Sequence, residues 1–188
     1  MALNLPNAKD QLDKERNLET FQTGSFMLDL AIGTIDKKTG LPGVRARTVL
    51  EAFGPNQTGK TLLAEMVALS VLNRNSKYKI FWLFSEEPNL ERMDALGLDL
   101  ERVIPWSYGS CDDADNIRLA GEGLDMACEY VKKDPFVKMV VIDSIKALVS
   151  ESEMYDNKGK DRPLDATTPV AQRATLLNKF LAKWAVSN

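Results

Sequence analysis

The 188-residue sequence contains no histidine. That absence removes Ser-His-Asp and Cys-His nucleophile systems, and every histidine-liganded zinc or iron centre. A general base in this chain has to be a carboxylate, or failing that a lysine or tyrosine. Cysteine is almost missing too. Cys111 and Cys128 are the only two; they form neither a Cys-x-x-Cys pair nor a disulfide framework, which suits a reducing cytoplasm. Long apolar runs are lacking. IFWLF at 80–84 and MVVI at 139–142 are the longest, far below the roughly 20 residues of a membrane span. The opening MALNLPNAKDQL is too polar for the apolar region of a signal peptide. A strong charge of one sign is also missing. The net charge of −3, from 24 basic and 27 acidic residues, argues against a dedicated polybasic binder of nucleic acid or membrane, although a local patch is compatible with it.

What is present is ordinary for a globular chain. Apolar residues make up 44%, enough in a chain of this length to bury one core at roughly 70% of the unfolded surface. Residues 1–20 are polar and read as a lead segment, weakly ordered or a short helix. A helix begins after Thr23-Gly24-Ser25 and ends at Gly33. Residues 34–47, rich in glycine and charge, read as a loop. VLEAF at 49–53 reads as a short strand stopping at Gly54, followed by a long helix over about 60–73. IFWLF at 80–84 has the unbroken apolar character of a strand covered on both faces. A helix is expected over about 89–96, a strand over 101–106 ended by Pro105, a helix over 112–133, a strand over 137–143, and an amphipathic helix over about 170–185. Its stripe carries Ala174, Leu177, Leu181 and Trp184. Strands alternating with helices at this spacing predict an α/β fold with a mainly parallel sheet and helices on both faces.

The chemistry concentrates in three places. Gly54-Pro55-Asn56-Gln57-Thr58-Gly59-Lys60-Thr61 fits G-x-x-x-x-G-K-[ST] at every position. In such a loop, glycines let successive N–H groups turn inward around a phosphate. The following helix, which Leu62 continues, adds its positive end. Lys60 reaches the β- and γ-phosphates, and the Thr61 hydroxyl can ligate Mg²⁺. The plainer alternative is a glycine-rich turn with no ligand. Second, Asp143 closes the apolar run VVID, where folds of this kind hold Mg²⁺ through a water; strands also end in aspartate simply as a turn starter. Third, Ser85-Glu86-Glu87 follows IFWLF. A glutamate there can deprotonate a water aimed at the γ-phosphate, with Glu86 favoured over Glu87; a solvated acidic pair is the alternative.

These segments together resemble the RecA family of recombinases, which includes the RadA and UvsX types. The matching segments are TGSFMLDLAIG at 23–33, GLPG at 40–43, EAFGPNQTGKTLL at 51–63, WLFSEE at 82–87, LGLDLERVI at 96–104, VVIDSIKALVS at 140–150 and the helix after Pro169. They cover residues 21–188 in family order and spacing. The resemblance implies a RecA-like P-loop ATPase core over 21–188 that binds and hydrolyses ATP with Mg²⁺ in connection with single-stranded DNA. It implies strand exchange in DNA repair, a homo-oligomer or filament, and a cytoplasmic setting. It puts Lys60 and Thr61 at the phosphate and Mg²⁺ positions, Glu86 at the catalytic glutamate, and Asp143 at the Mg²⁺-water aspartate. Asn89 and Arg92 fall near the adenine-contacting positions, with a one-residue difference in length there. Residues 151–168 stand where the first DNA-binding loop would be, with Lys158, Lys160 and Arg162 as candidate DNA contacts.

Three departures accompany it. The N-terminal segment is shorter than the family's polymerisation helix with its linker. Five acids offset the three basic residues of 151–168, so DNA binding there is implied by resemblance and not by charge. The sequence also stops where the family would begin another strand, which predicts a C-terminal truncation. In a family-like sheet that strand would separate 49–53 from 139–143, so these two are expected not to pair. Other classes stay open: a related RecA-fold ATPase motor for branch migration, helicase loading or signalling, a small-molecule kinase sharing only the phosphate loop, and a non-catalytic nucleotide-binding fragment. Stimulation of ATP hydrolysis by single-stranded DNA separates the first from a recombinase, and turnover against a Glu86→Gln control separates the last from an enzyme.

Overall fold

A computed structural model describes residues 7–107, 119–148 and 172–187. The chain divides into two compact units, Met1–Arg74 and Asn75–Asn188.

The first unit opens with helix α1 (Ala8–Arg16), whose start is capped by Asn7 through its Oδ1 accepting from the Asp10 amide at 2.9 Å. A small antiparallel sheet follows, in the order β1 (Thr20–Phe21), β3 (Pro42–Arg45), β2 (Thr34–Ile35). Helix α2 (Phe26–Ile32) lies between β1 and β2, capped by Ser25 and ended by Gly33 at φ +77°. The long helix α3 (Lys60–Arg74) completes the unit.

Polar side chains organise this small sheet. Asp36, 2% exposed, accepts from the amides of Thr20 (3.2 Å), Lys38 (2.7 Å) and Thr39 (3.0 Å). It also accepts from the guanidinium of Arg74 at 2.7 Å, which ties the strands to the C-terminal end of α3. Burial pushes the Asp36 carboxyl up, but the amides of Thr39, Thr20 and Lys38, together with the Arg74 charge, outweigh it and hold it below its ordinary value. Asp29, equally buried, accepts from the Thr23 amide at 2.9 Å. Gly43 lets β3 approach β1 closely: a Cβ there would sit 2.5 Å from the Phe21 carbonyl oxygen.

The second unit is a parallel sheet in the order β5 (Val103–Ser107), β4 (Lys79–Phe84), β6 (Val137–Asp143). Every residue of β4 from Ile80 to Phe84 is buried, as its unbroken apolar run requires of a central strand. Phe81 and Leu83 pack with Leu124, Ala127 and Cys128 of α5 (Ala120–Lys133) and Phe180 of α6 (Gln172–Ser187). Ile80, Trp82 and Phe84 alternate to the other face, where the Trp82 and Phe84 rings stack with centroids 5.3 Å apart. A short helix α4 (Leu90–Ala95) and a 3₁₀ turn at Leu100–Arg102 lead from β4 into β5.

Several expectations need correction. VLEAF at 49–53 is not a strand: it enters no ladder among the described residues, and Val49, Leu50 and Phe53 are exposed, Phe53 at 89%. An apolar pattern makes a strand only where a neighbour takes up its N–H and C=O groups. The recorded ladder of β6 is with β4. The loop expected over 34–47 holds β2 and β3. Pro105 does not end β5, which continues to Ser107. As the outer strand of the described sheet β5 tolerates a residue without an N–H. On α6 the buried stripe centres on Phe180, with Leu176, Leu177, Leu181 and Trp184 packed beside it, while Ala174 is exposed. The part of the expected 112–133 helix that precedes residue 119 lies outside the described residues.

Candidate functional site

The loop from Gly54 to Gly59 runs directly into α3, whose first residue is Lys60. Its backbone is tightly turned. Gly59 has φ +87° and Gln57 φ +64°, the left-handed region where glycine is at home and glutamine is not. Around Gly59 there is open space: a Cβ there would meet nothing within 4 Å. Thr58 Oγ1 donates to the Pro55 carbonyl at 2.8 Å and closes the turn. The Lys60 ammonium donates to the carbonyls of Gly54 (3.1 Å) and Pro55 (2.5 Å), so it lies over the loop rather than out in solvent. The regular helical ladder starts with the Leu63 amide on the Gly59 carbonyl at 2.9 Å; the amides before it sit at the positive end of a 15-residue helix. An open cavity of about 490 Å³, lined among others by Phe53, Gly54, Pro55, Thr58, Gly59 and Lys60, faces this loop. Asn56 and Leu62 are exposed, and Thr61 is half-buried in the first turn of α3.

In the second unit, Asp143 and Glu86 come to the same edge of the parallel sheet. The ladder pairs Phe84 with Asp143, and Glu86 follows two residues beyond. Ser85 joins the two strand ends. Its amide donates to the Asp143 carbonyl at 2.8 Å. Its hydroxyl donates to the same carbonyl at 3.0 Å and accepts from the Ser144 amide at 3.0 Å. The Asp143–Ser144 peptide is cis. Glu86 and Glu87 are both exposed, and Asp143 is half-buried. No role for Ser85 is visible in the sequence, because a serine after a strand carries no signal of what its hydroxyl will meet.

Asn89 and Arg92 have a local function in the structure. Asn89 is the N-cap of α4, its Oδ1 accepting from the Arg92 amide at 2.9 Å, and Arg92 is exposed on that helix. Lys158, Lys160 and Arg162 lie outside the described residues.

The oxygen donors of Thr61 and Asp143 are hard ligands of the type Mg²⁺ prefers. Among the described residues no three His, Cys, Asp or Glu side chains gather into a metal cluster.

A model of the RecA N-terminal domain family matches residues 8–185. The chain belongs to the RecA family. It is 30% identical over 144 residues to Protein RecA of Wigglesworthia glossinidia brevipalpis, covering 76% of this chain and 38% of that protein. It is 29% identical over 177 residues to Protein RecA of Chelativorans sp. (strain BNC1), covering 93% of this chain and 42% of the relative. The chain thus spans about two fifths of the length of these relatives. As a member of the RecA family it has the α/β architecture expected, with a parallel three-stranded sheet and helices. Among the described residues no helix is long and apolar enough to cross a membrane.

Proposed function

We propose that residues 21–188 carry the ATP-binding core of a RecA-type recombinase, acting in the cytoplasm in DNA repair, with residues 1–20 as a lead segment. What carries this assignment is the glycine-bounded loop running into α3 at Lys60 in a chain of the RecA family. The loop amides and the start of α3 bind the phosphates of ATP. Lys60 exchanges its bonds to the Gly54 and Pro55 carbonyls for phosphate oxygens, a charge-assisted and therefore stronger contact. Thr61 through its hydroxyl and Asp143 through its carboxylate are the residues that would hold Mg²⁺, which would supply positive charge against the phosphates. Glu86, in a chain without histidine, takes the proton of the attacking water.

The same assignment brings single-stranded DNA and a homo-oligomeric filament as partners, with Lys158, Lys160 and Arg162 as candidate DNA contacts and Asn89 and Arg92 as candidate adenine contacts. The use of Asn89 as a helix cap argues that a contact to adenine from this residue would come from its amide nitrogen.

Hydrolysis of ATP by wild type and by Glu86→Gln, with and without single-stranded DNA, tests the assignment. Glu86→Gln is expected to bind ATP as wild type does and to hydrolyse it ~10²-fold more slowly, the size of a lost general base. DNA stimulation that weakens steeply with salt supports the recombinase. Hydrolysis unaffected by Glu86→Gln and lost in Glu87→Gln moves the base by one residue. A chain that binds no nucleotide contradicts the loop assignment.

A further inference from the structure

We propose that Ser85 is a positioning residue: its hydroxyl fixes the Asp143 end of β6 to the Glu86 end of β4 and so sets the Mg²⁺ response of the site. This rests on the proposed roles of Asp143 and Glu86.

Ser85 stands between the last ladder pair, Phe84–Asp143, and Glu86. Its amide bond to the Asp143 carbonyl, at 2.8 Å, extends the parallel ladder by one step and would form with any residue that has an N–H. The hydroxyl adds what the backbone cannot. It donates to the Asp143 carbonyl and accepts from the Ser144 amide, both at 3.0 Å. One oxygen thereby holds both polar groups of the peptide that leaves Asp143. The Asp143 carboxylate hangs from this same backbone, and Glu86 is the next residue after Ser85. Strand ends are where regular pairing stops, so a side-chain bond there adds a restraint that the ladder does not supply. Ser85, Asp143 and Ser144 are all half-buried. Water can therefore reach the site and stand in for the hydroxyl, but a bridging water carries an ordering cost that a hydroxyl fixed to β4 does not.

Mg²⁺ is a sensitive reporter of such a tie, because it demands near-ideal octahedral geometry at short distances. Removing the hydroxyl leaves the ladder and the apolar core untouched. The expected effect is therefore on metal response more than on folding.

The test is a Mg²⁺ titration of the binding of a fluorescent ATP analogue to the full 188-residue chain, with thermal unfolding measured alongside. Wild type, Ser85→Ala, Ser85→Thr and Asp143→Ala are compared. Asp143→Ala is expected to remove most of the Mg²⁺ enhancement. Ser85→Ala is expected to raise the Mg²⁺ concentration at half-effect about threefold to tenfold, the size of one ordinary hydrogen bond. Ser85→Thr, which keeps the hydroxyl, is expected to return it to within about twofold. If Ser85→Ala does not fold, Ser85→Thr against Ser85→Val decides, since the pair differs by a hydroxyl for a methyl. A midpoint raised only in valine supports the tie, and equal midpoints overturn it. A wild-type midpoint in Ser85→Ala, with Asp143→Ala strongly shifted, overturns the role of Ser85 and leaves the metal assignment standing. A silent Asp143→Ala overturns the metal assignment, and the role of Ser85 with it.

Discussion

The two units of this chain are held together by different physics. The second is organised by apolar packing: β4 is buried along its whole apolar run, and α5 and α6 close over Phe81 and Leu83. The first has strands of two to four residues and is organised by polar hubs, Asp36 with Arg74 and Asp29 with Thr23. The proposed phosphate loop belongs to the polar unit, and the proposed metal aspartate and base belong to the apolar one. The comparison teaches where each kind of element is vulnerable: the apolar unit to cavities, the polar unit to lost acceptors and to acid.

The largest expected effect is in the apolar unit. Phe81→Ala, at a position with no exposure, should cost about 3–5 kcal/mol in urea unfolding, the usual size for an emptied aromatic site. A cost below about 1 kcal/mol would mean that the sheet core is not packed as described.

Asp36→Ala comes next. It leaves three amide donors without their acceptor and takes from Arg74 the nearer of two carboxylates, the other being Glu19 at 3.4 Å. It should cost about 2–3 kcal/mol, below a fully buried pair because Arg74 keeps Glu19 and partial access to water. Hydrogen exchange should speed up at the amides of Thr20, Lys38 and Thr39, which Asp36 accepts from. The pH dependence sharpens the comparison. The folded carboxyl of Asp36 lies below its ordinary value of 3.8, so its stabilisation is fully present above that value and is lost as pH falls through the folded one. Asp134 of the second unit is also lowered, by its bond to Lys79 and by the Phe136 amide. Asp134 and Lys79 are, however, more exposed than Asp36, and screening weakens their pair. Asp36→Ala should therefore flatten the acid limb of the stability curve more than Asp134→Ala does. The opposite order would break the contrast between the units.

Gly43→Ala is the smallest of the three. Its Cβ would meet the backbone carbonyl of Phe21, which cannot rotate away, and should cost about 1–3 kcal/mol in thermal or urea unfolding. A neutral outcome would show that β1 and β3 are free to part.

This division also governs what is legible from sequence. The apolar runs at 80–84 and 137–143 and the periodic helices read directly, because burial writes itself into residue type at every second or every third and fourth position. The small sheet does not. Its strands are too short for a period, and β3 begins with proline followed by glycine. Its stability comes from Asp36, which in sequence is one charged residue in a polar stretch. VLEAF misleads in the other direction, since an apolar pattern does not say whether a neighbouring strand is there. In the candidate site, the loop pattern and the acid that ends β6 read directly from local sequence. The Ser85 bridge does not, because it joins residues 58 and 59 positions apart.

The most direct measurement is the affinity of the 188-residue chain for ATP with Mg²⁺, by calorimetry or fluorescence, in wild type and Lys60→Ala. Saturable binding that weakens at least about tenfold in Lys60→Ala is predicted, since a strongly anionic phosphate chain would lose its charge-assisted partner at the loop. Equal affinity in the two proteins would contradict the placement of the phosphates on the Gly54–Thr61 loop.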